Sequence, residues 1–162
     1  MPPIISIVGK SKSGKTTLLE KLIPELKRRG YRIGTIKHAH HGFTLDSKGK
    51  DSARHRAAGA DAVIVSAPET MAMIKNHADE SLSNLATYLQ DMDLVIAEGF
   101  KSDDQPKIEV CRADNNKSPI HPIVNQLIAF VSDTDIDMGV PKFGLEDIEH
   151  LANWIENRYL QL

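Results

Sequence analysis

The chain has 162 residues, 41% apolar and 26% charged, which suits one folded domain spanning 1–162 and argues against disorder. A formal net charge of −2 gives no overall attraction to nucleic acid, and no apolar run approaches the roughly 20 residues that span a bilayer. The lone cysteine, Cys111, excludes an internal disulfide, and the opening MPPIISIVGK lacks the basic head of a secretory signal, so a cytoplasmic protein is expected.

In chain order, Ile4–Val8 is a continuous β-branched run and predicts a buried strand. Lys15–Arg29 carries Leu18, Leu19, Leu22, Ile23 and Leu26 on one helical face, with Gly30 at its end. Pro24 removes the hydrogen bond to the Glu20 carbonyl and predicts a kink there. Ile33–Lys37 predicts a second strand, His38–Asp51 a polar loop, and Ser52–Ala58 a short helix closed by Gly59. Ala62–Ser66 and Met71–Lys75 flank a Pro68-Glu69 turn and predict a hairpin. Ser81–Leu89 predicts a helix capped by Asp79 or Ser81. Leu94–Ala97, Lys107–Cys111 and Leu127–Val131 predict three more strands, with a loop over Asp114–Pro122. Glu146–Tyr159 predicts a closing helix with Ile148, Leu151, Ala152, Ile155 and Tyr159 on one face.

This alternation implies an α/β three-layer sandwich, and Gly9–Thr16, a G-x-x-x-x-G-K-[ST] loop after the first strand, makes it one of the P-loop NTPase type. Its sheet is mostly parallel with helices on both faces, and the hairpin forms a small antiparallel extension. Ligands in such sheets bind beyond the carboxyl ends of the strands, which singles out the loops Gly9–Thr16, His38–Asp51, Gly99–Gln105 and Ser132–Gly139.

Gly9-Lys10-Ser11-Lys12-Ser13-Gly14-Lys15-Thr16 matches G-x-x-x-x-G-K-[ST] between a buried strand and an amphipathic helix. The glycines let backbone N–H groups face phosphate oxygens, and the helix points its positive end at the same place. Lys15 supplies charge to the β- and γ-phosphates, the Thr16 hydroxyl suits Mg²⁺, and Thr17 reaches the α-phosphate. Lys10 is read as an exposed lysine near an anion. A lysine at this position can also cross to a partner's phosphates, but Ser11 and Lys12 replace the glycines usual after it. Asp93–Lys101 is the second element such a site needs. An apolar strand delivers Glu98 to the metal side, and Gly99 lets the backbone approach the γ-phosphate. Asp93, at the opposite end, reads as a strand-start residue.

Lys37, His38, His40 and His41 leave the second strand on the ligand side, followed by Lys48, Lys50, Arg54, His55 and Arg56. Only Asp46 and Asp51 offset them, so this basic stretch in a mildly acidic chain is expected to face an anion or partner. His38, His40 and His41 as holders of a transition metal, or a merely solvated loop, are the alternatives.

Together these residues resemble the molybdopterin-guanine dinucleotide biosynthesis adaptor family, MobB, over most of the chain. The resemblance is carried by Gly9–Thr16, the Lys37-His38-Ala39-His40-His41 run, Asp46 with Gly49-Lys50-Asp51-Ser52, Ala58-Gly59-Ala60, and Asp93 through Lys101. It implies a cytoplasmic homodimer that binds GTP and Mg²⁺, hydrolyses GTP weakly, and assists the guanylyltransferase that joins GMP to molybdopterin. It implies phosphate and Mg²⁺ binding by Lys15 and Thr16, with Glu98 in the second nucleotide motif. The basic loop, with Lys50, Asp51, Arg54 and Lys101, becomes a place for molybdopterin or its carrier. GTP over ATP rests on this resemblance, because Asn116-Lys117-Ser118-Pro119 begins the guanine-reading Asn-Lys-x-Asp but lacks its carboxylate; Asp133 stands as a substitute. A metallochaperone GTPase using the histidines and a small-molecule P-loop kinase are the competing functions.

Overall fold

The computed structural model describes residues 1–39, 42–44, 47, 49–114, 118–120 and 126–161. In chain order its elements are β1 (Ile4–Val8), α1 (Lys15–Arg28), β2 (Ile33–Lys37), α2 (Asp51–Ala57), β3 (Ala62–Ala67), β4 (Thr70–Lys75), α3 (Leu82–Ala86), β5 (Leu94–Glu98), β6 (Lys107–Cys111), β7 (Leu127–Ser132), β8 (Lys142–Phe143) and α4 (Ile148–Ile155). They group into two compact units, Met1–His38 with Ser81–Leu162, and Ala39–Glu80. Among the described residues no helix is long and apolar enough to cross a membrane.

The larger unit is built on a six-stranded sheet in the order β2-β5-β1-β6-β7-β8, with every pair parallel. Side chains alternate across it. Ile5, Ile7, Leu94, Ile96, Ile108, Val110, Ala129 and Val131 face one core with α1 and α4, while Ile4, Val95 and Ala97 face a second with Leu82 and Ala86 of α3. Helices therefore cover both faces, as the doubly buried strands require. The leucines at 18, 19, 22 and 26 of α1 are all buried, and burial of each such side chain is worth about 1.5–3 kcal/mol.

The helix α1 continues through Pro24 to Arg28. Pro24 and Glu20 are both exposed residues of the helix. Gly30, at φ 96°, ends the helix, its N–H donating to Lys27 O at 2.9 Å. The Arg29 guanidinium then ties α1 to the C-terminal helix, bonding Glu25, Asn153 and Glu156. Hydrogen bonds from Arg28 and Arg29 hold the Glu25 carboxyl down at about 2.

Differences from the sequence reading are local. The predicted Ser81–Leu89 helix is α3 followed by a 3₁₀ turn at Thr87–Leu89. The Thr87 hydroxyl donates to Asn84 O at 2.6 Å and competes with the regular helical bond there. Ser81 is the cap, its Oγ accepting the Asn84 N–H. The last helix begins at Ile148 rather than Glu146 and widens into a π-turn over Glu156–Leu160. The two-residue edge strand β8 was not anticipated. Asp93 anchors a strand start as expected, its carboxylate accepting the Arg32 N–H at 2.6 Å.

Ala39–Glu80 holds α2 and the β3–β4 hairpin, paired from Ala62↔Lys75 to Ala67↔Thr70 about the Pro68-Glu69 turn. No residue of α2 is buried. Ile64, Val65, Met71 and Met73 of the hairpin stand 58%, 51%, 64% and 36% exposed.

Candidate functional site

The chain leaves β1 at Val8 and enters α1 at Lys15 through the glycine loop. Gly9 passes so close to β6 that a Cβ there would lie 2.5 Å from both Val110 O and Ser13 Oγ. Gly14 adopts φ 95° and Lys12 φ 60°, conformations that curl the loop over the start of α1. Lys15 Nζ donates to the carbonyls of Gly9 at 3.2 Å and Lys10 at 2.8 Å, so the ammonium bridges the loop's own rim. Burial lowers the Lys15 pKa; Glu98 opposes this, and the charges of Lys101 and Lys37 add to it. Three ammonium groups and one carboxylate therefore act on the same place.

Glu98 ends β5, next to both β1 and β2, in register with Ile7 and Lys37. Its Oε1 accepts the Thr16 hydroxyl at 3.3 Å and its Oε2 lies 3.6 Å from Lys37 Nζ. A hydroxyl and a carboxylate converging at a helix start form the hard oxygen set that suits Mg²⁺. The strand end is fixed by backbone bonds: Gly99 N–H donates to Ile7 O and His38 N–H to Glu98 O, both at 3.0 Å. A Cβ on Gly99 would come 3.1 Å from that of His38. Beyond it Phe100, at φ 52°, stacks on the His38 ring with centroids 4.8 Å apart.

A cleft of about 310 Å³ is lined by residues 11–17, Glu98 and Arg112. The structure thus brings together the predicted Ser11, Lys12, Ser13, Gly14, Lys15, Thr16, Thr17 and Glu98. Lys10 donates instead to Ser118 Oγ at 2.8 Å. Lys37, His38, Gly99 and Lys101 belong to the same compact unit, whereas Lys50, Asp51 and Arg54 belong to the other. There, Arg54 Nη1 lies 3.5 Å from Asp51 Oδ1. His40, His41, Asp46, Lys48, Asn116 and Lys117 lie outside the described residues. Among the described residues no group of three or more His, Cys, Asp or Glu could hold a metal ion. Asp133 accepts the Ala113 N–H at 2.8 Å, which fastens the end of β6 to that of β7.

Arg112 is the cleft residue that the sequence reading missed. It directly follows β6, and the rule that ligands lie beyond carboxyl strand ends should have drawn it in. What was lacking was the strand order, which sets β6 against β1.

Comparison with known proteins gives the family of the chain. The family model for molybdopterin guanine dinucleotide synthesis protein B matches residues 4–133. The chain is 39% identical over 158 residues to the molybdopterin-guanine dinucleotide biosynthesis adapter protein of Haemophilus influenzae, covering 96% of this chain and 88% of that one. To the Escherichia coli protein of the same description it is 37% identical over 161 residues, covering 96% and 92%. A crystal structure of molybdopterin-guanine biosynthesis protein B superposes with a TM-score of 0.78 at 32% identity, covering 95% of this chain and 97% of that one. The chain belongs to the MobB family, that of molybdopterin guanine dinucleotide synthesis protein B.

Proposed function

We propose that this protein is a GTP-binding adapter in molybdopterin guanine dinucleotide biosynthesis, working in the cytoplasm beside the guanylyltransferase that transfers GMP to molybdopterin. The carrying observation is the convergence of Lys15, Thr16 and Glu98 on one cleft at the start of α1. Backbone N–H groups of the loop and Lys15 would hold the β- and γ-phosphates. Thr16 and Glu98 would hold Mg²⁺, which neutralises phosphate charge when bound. Guanine over adenine is carried by family membership, and the names of the two relatives supply the pathway.

Hydrolysis is slow in this reading. No glutamine lies among the described residues lining the cleft, and water positioning by such a group supplies much of the catalysis in related NTPases. The anionic pterin or its carrier would meet the basic side chains at the end of β2, Lys37 and His38.

The homodimer is supported by the hairpin. Two strands alone are marginally stable in water, and β3–β4 exposes Ile64, Val65, Met71 and Met73. A second copy covering these side chains would supply the missing apolar burial. Met71→Asp should then yield a monomer by light scattering, and a dimer that persists would remove the hairpin from the interface.

The adapter reading is tested by reconstituting GMP transfer to molybdopterin with the purified guanylyltransferase. The wild-type protein with GTP and Mg²⁺ should raise product yield, and Lys15→Ala should not. Equal stimulation by both would separate the adapter role from nucleotide binding.

A further inference from the structure

We infer that Arg112 is a nucleotide-binding residue, pairing with the α- and β-phosphates on the flank of the phosphate loop away from the metal. This deepens the GTP-binding reading and rests on it. The strand order β5-β1-β6 sets Glu98, at the end of β5, and Arg112, just past β6, on opposite sides of β1 and the loop it feeds. Glu98 meets Thr16 on one flank. On the other, a Cβ on Gly14 would lie 3.4 Å from Arg112 Nε and 3.7 Å from Cζ. The guanidinium therefore lies beside the loop's second glycine, where backbone N–H groups cradle the α- and β-phosphates.

Its backbone is fixed as well. Cys111 pairs with Ser132, and the N–H of Ala113 is held by Asp133. Arg112 thus projects from a clamped strand end, half-buried in the cleft wall. Its guanidinium has no ion pair or hydrogen bond with any described residue, and Glu98, the only carboxylate among the described residues lining the cleft, is engaged by Thr16 and Lys37. A planar cation without a carboxylate partner, facing a glycine loop, is suited to bidentate phosphate recognition. Because the contact lies away from the metal, it should serve a diphosphate as well as a triphosphate, with or without Mg²⁺.

The test is calorimetry of wild type, Arg112→Ala, Arg112→Lys and Lys15→Ala with GTP, GDP and inorganic pyrophosphate, each in Mg²⁺ and in EDTA. Arg112→Ala should weaken all three at least tenfold in both buffers, with Arg112→Lys intermediate and both variants melting near the wild-type temperature. If Arg112→Ala fails to fold, Arg112→Lys decides: affinity equal to wild type for all three probes overturns the inference. Loss with GTP alone would move the guanidinium to the γ-phosphate, and loss with both nucleotides but not pyrophosphate would move it to the base; either result overturns the assignment. Lys15→Ala impaired beside an unaffected Arg112→Ala would sink Arg112 while leaving the GTP-binding reading intact. A wild-type protein that binds none of the probes would remove both.

Discussion

Gly9 has no room for a side chain. A Cβ there would stand 2.5 Å from Val110 O and 2.5 Å from Ser13 Oγ, about 1 Å inside the separation at which non-bonded heavy atoms pack well. The Ser13 hydroxyl can rotate away. The Val110 carbonyl cannot, because β6 is held between β1 and β7 in the sheet. In Gly9→Ala the loop backbone must therefore retreat from β6. Shifts of this kind cost about 1–3 kcal/mol. In a chain of this size each kcal/mol lowers Tm by roughly 2–4 °C, so a drop of about 2–12 °C is expected. The retreat also displaces the Gly9 carbonyl that anchors Lys15, and GTP affinity should fall more than tenfold, about 1.4 kcal/mol. Thermal melting and calorimetry read the two effects. Unchanged Tm together with unchanged affinity would refute the close approach of loop and strand.

Glu98→Gln should weaken GTP binding in Mg²⁺ and change it little in EDTA, as measured by titration in both; equal losses would make Glu98 structural. GTP turnover by the isolated protein should stay below roughly 1 s⁻¹, and a phosphate-release assay showing faster hydrolysis would favour an independent enzyme. The Glu25 carboxyl, held at about 2 against an ordinary 4.5, stabilises the fold fully above the unfolded value, and that contribution is lost as pH falls from 4.5 toward 2. Glu25→Gln should flatten the stability loss across that window in acid denaturation, and a curve parallel to wild type would contradict the assignment.

The phosphate loop was legible in the sequence because its parts are local: a β-branched run, two glycines, Lys15, Thr16 and a leucine face all fall within residues 4–26. Glu98 was legible for the same reason, at the end of an uninterrupted apolar strand. Arg112 was not, since its place depends on β6 lying against β1 across roughly a hundred residues of chain. Lys107 shows the same limit. It opens the predicted strand Lys107–Cys111 and is fully buried, its Nζ satisfied by the carbonyls of Asp103 and Gln105, which no spacing rule reveals. The 3₁₀ turn after α3 depends on one Thr87 hydroxyl bond, and β8 on docking to an existing sheet edge.

The central claim is that Lys15, Thr16 and Glu98 form a triphosphate site, and titration of GTP into wild type and Lys15→Ala in the presence of Mg²⁺ tests it most directly. Lys15 makes charge-assisted contacts in a half-buried cleft and contributes little to the core. The variant should stay folded by thermal melting and lose at least tenfold in affinity, about 1.4 kcal/mol. A folded Lys15→Ala that binds GTP as tightly as wild type would contradict the account.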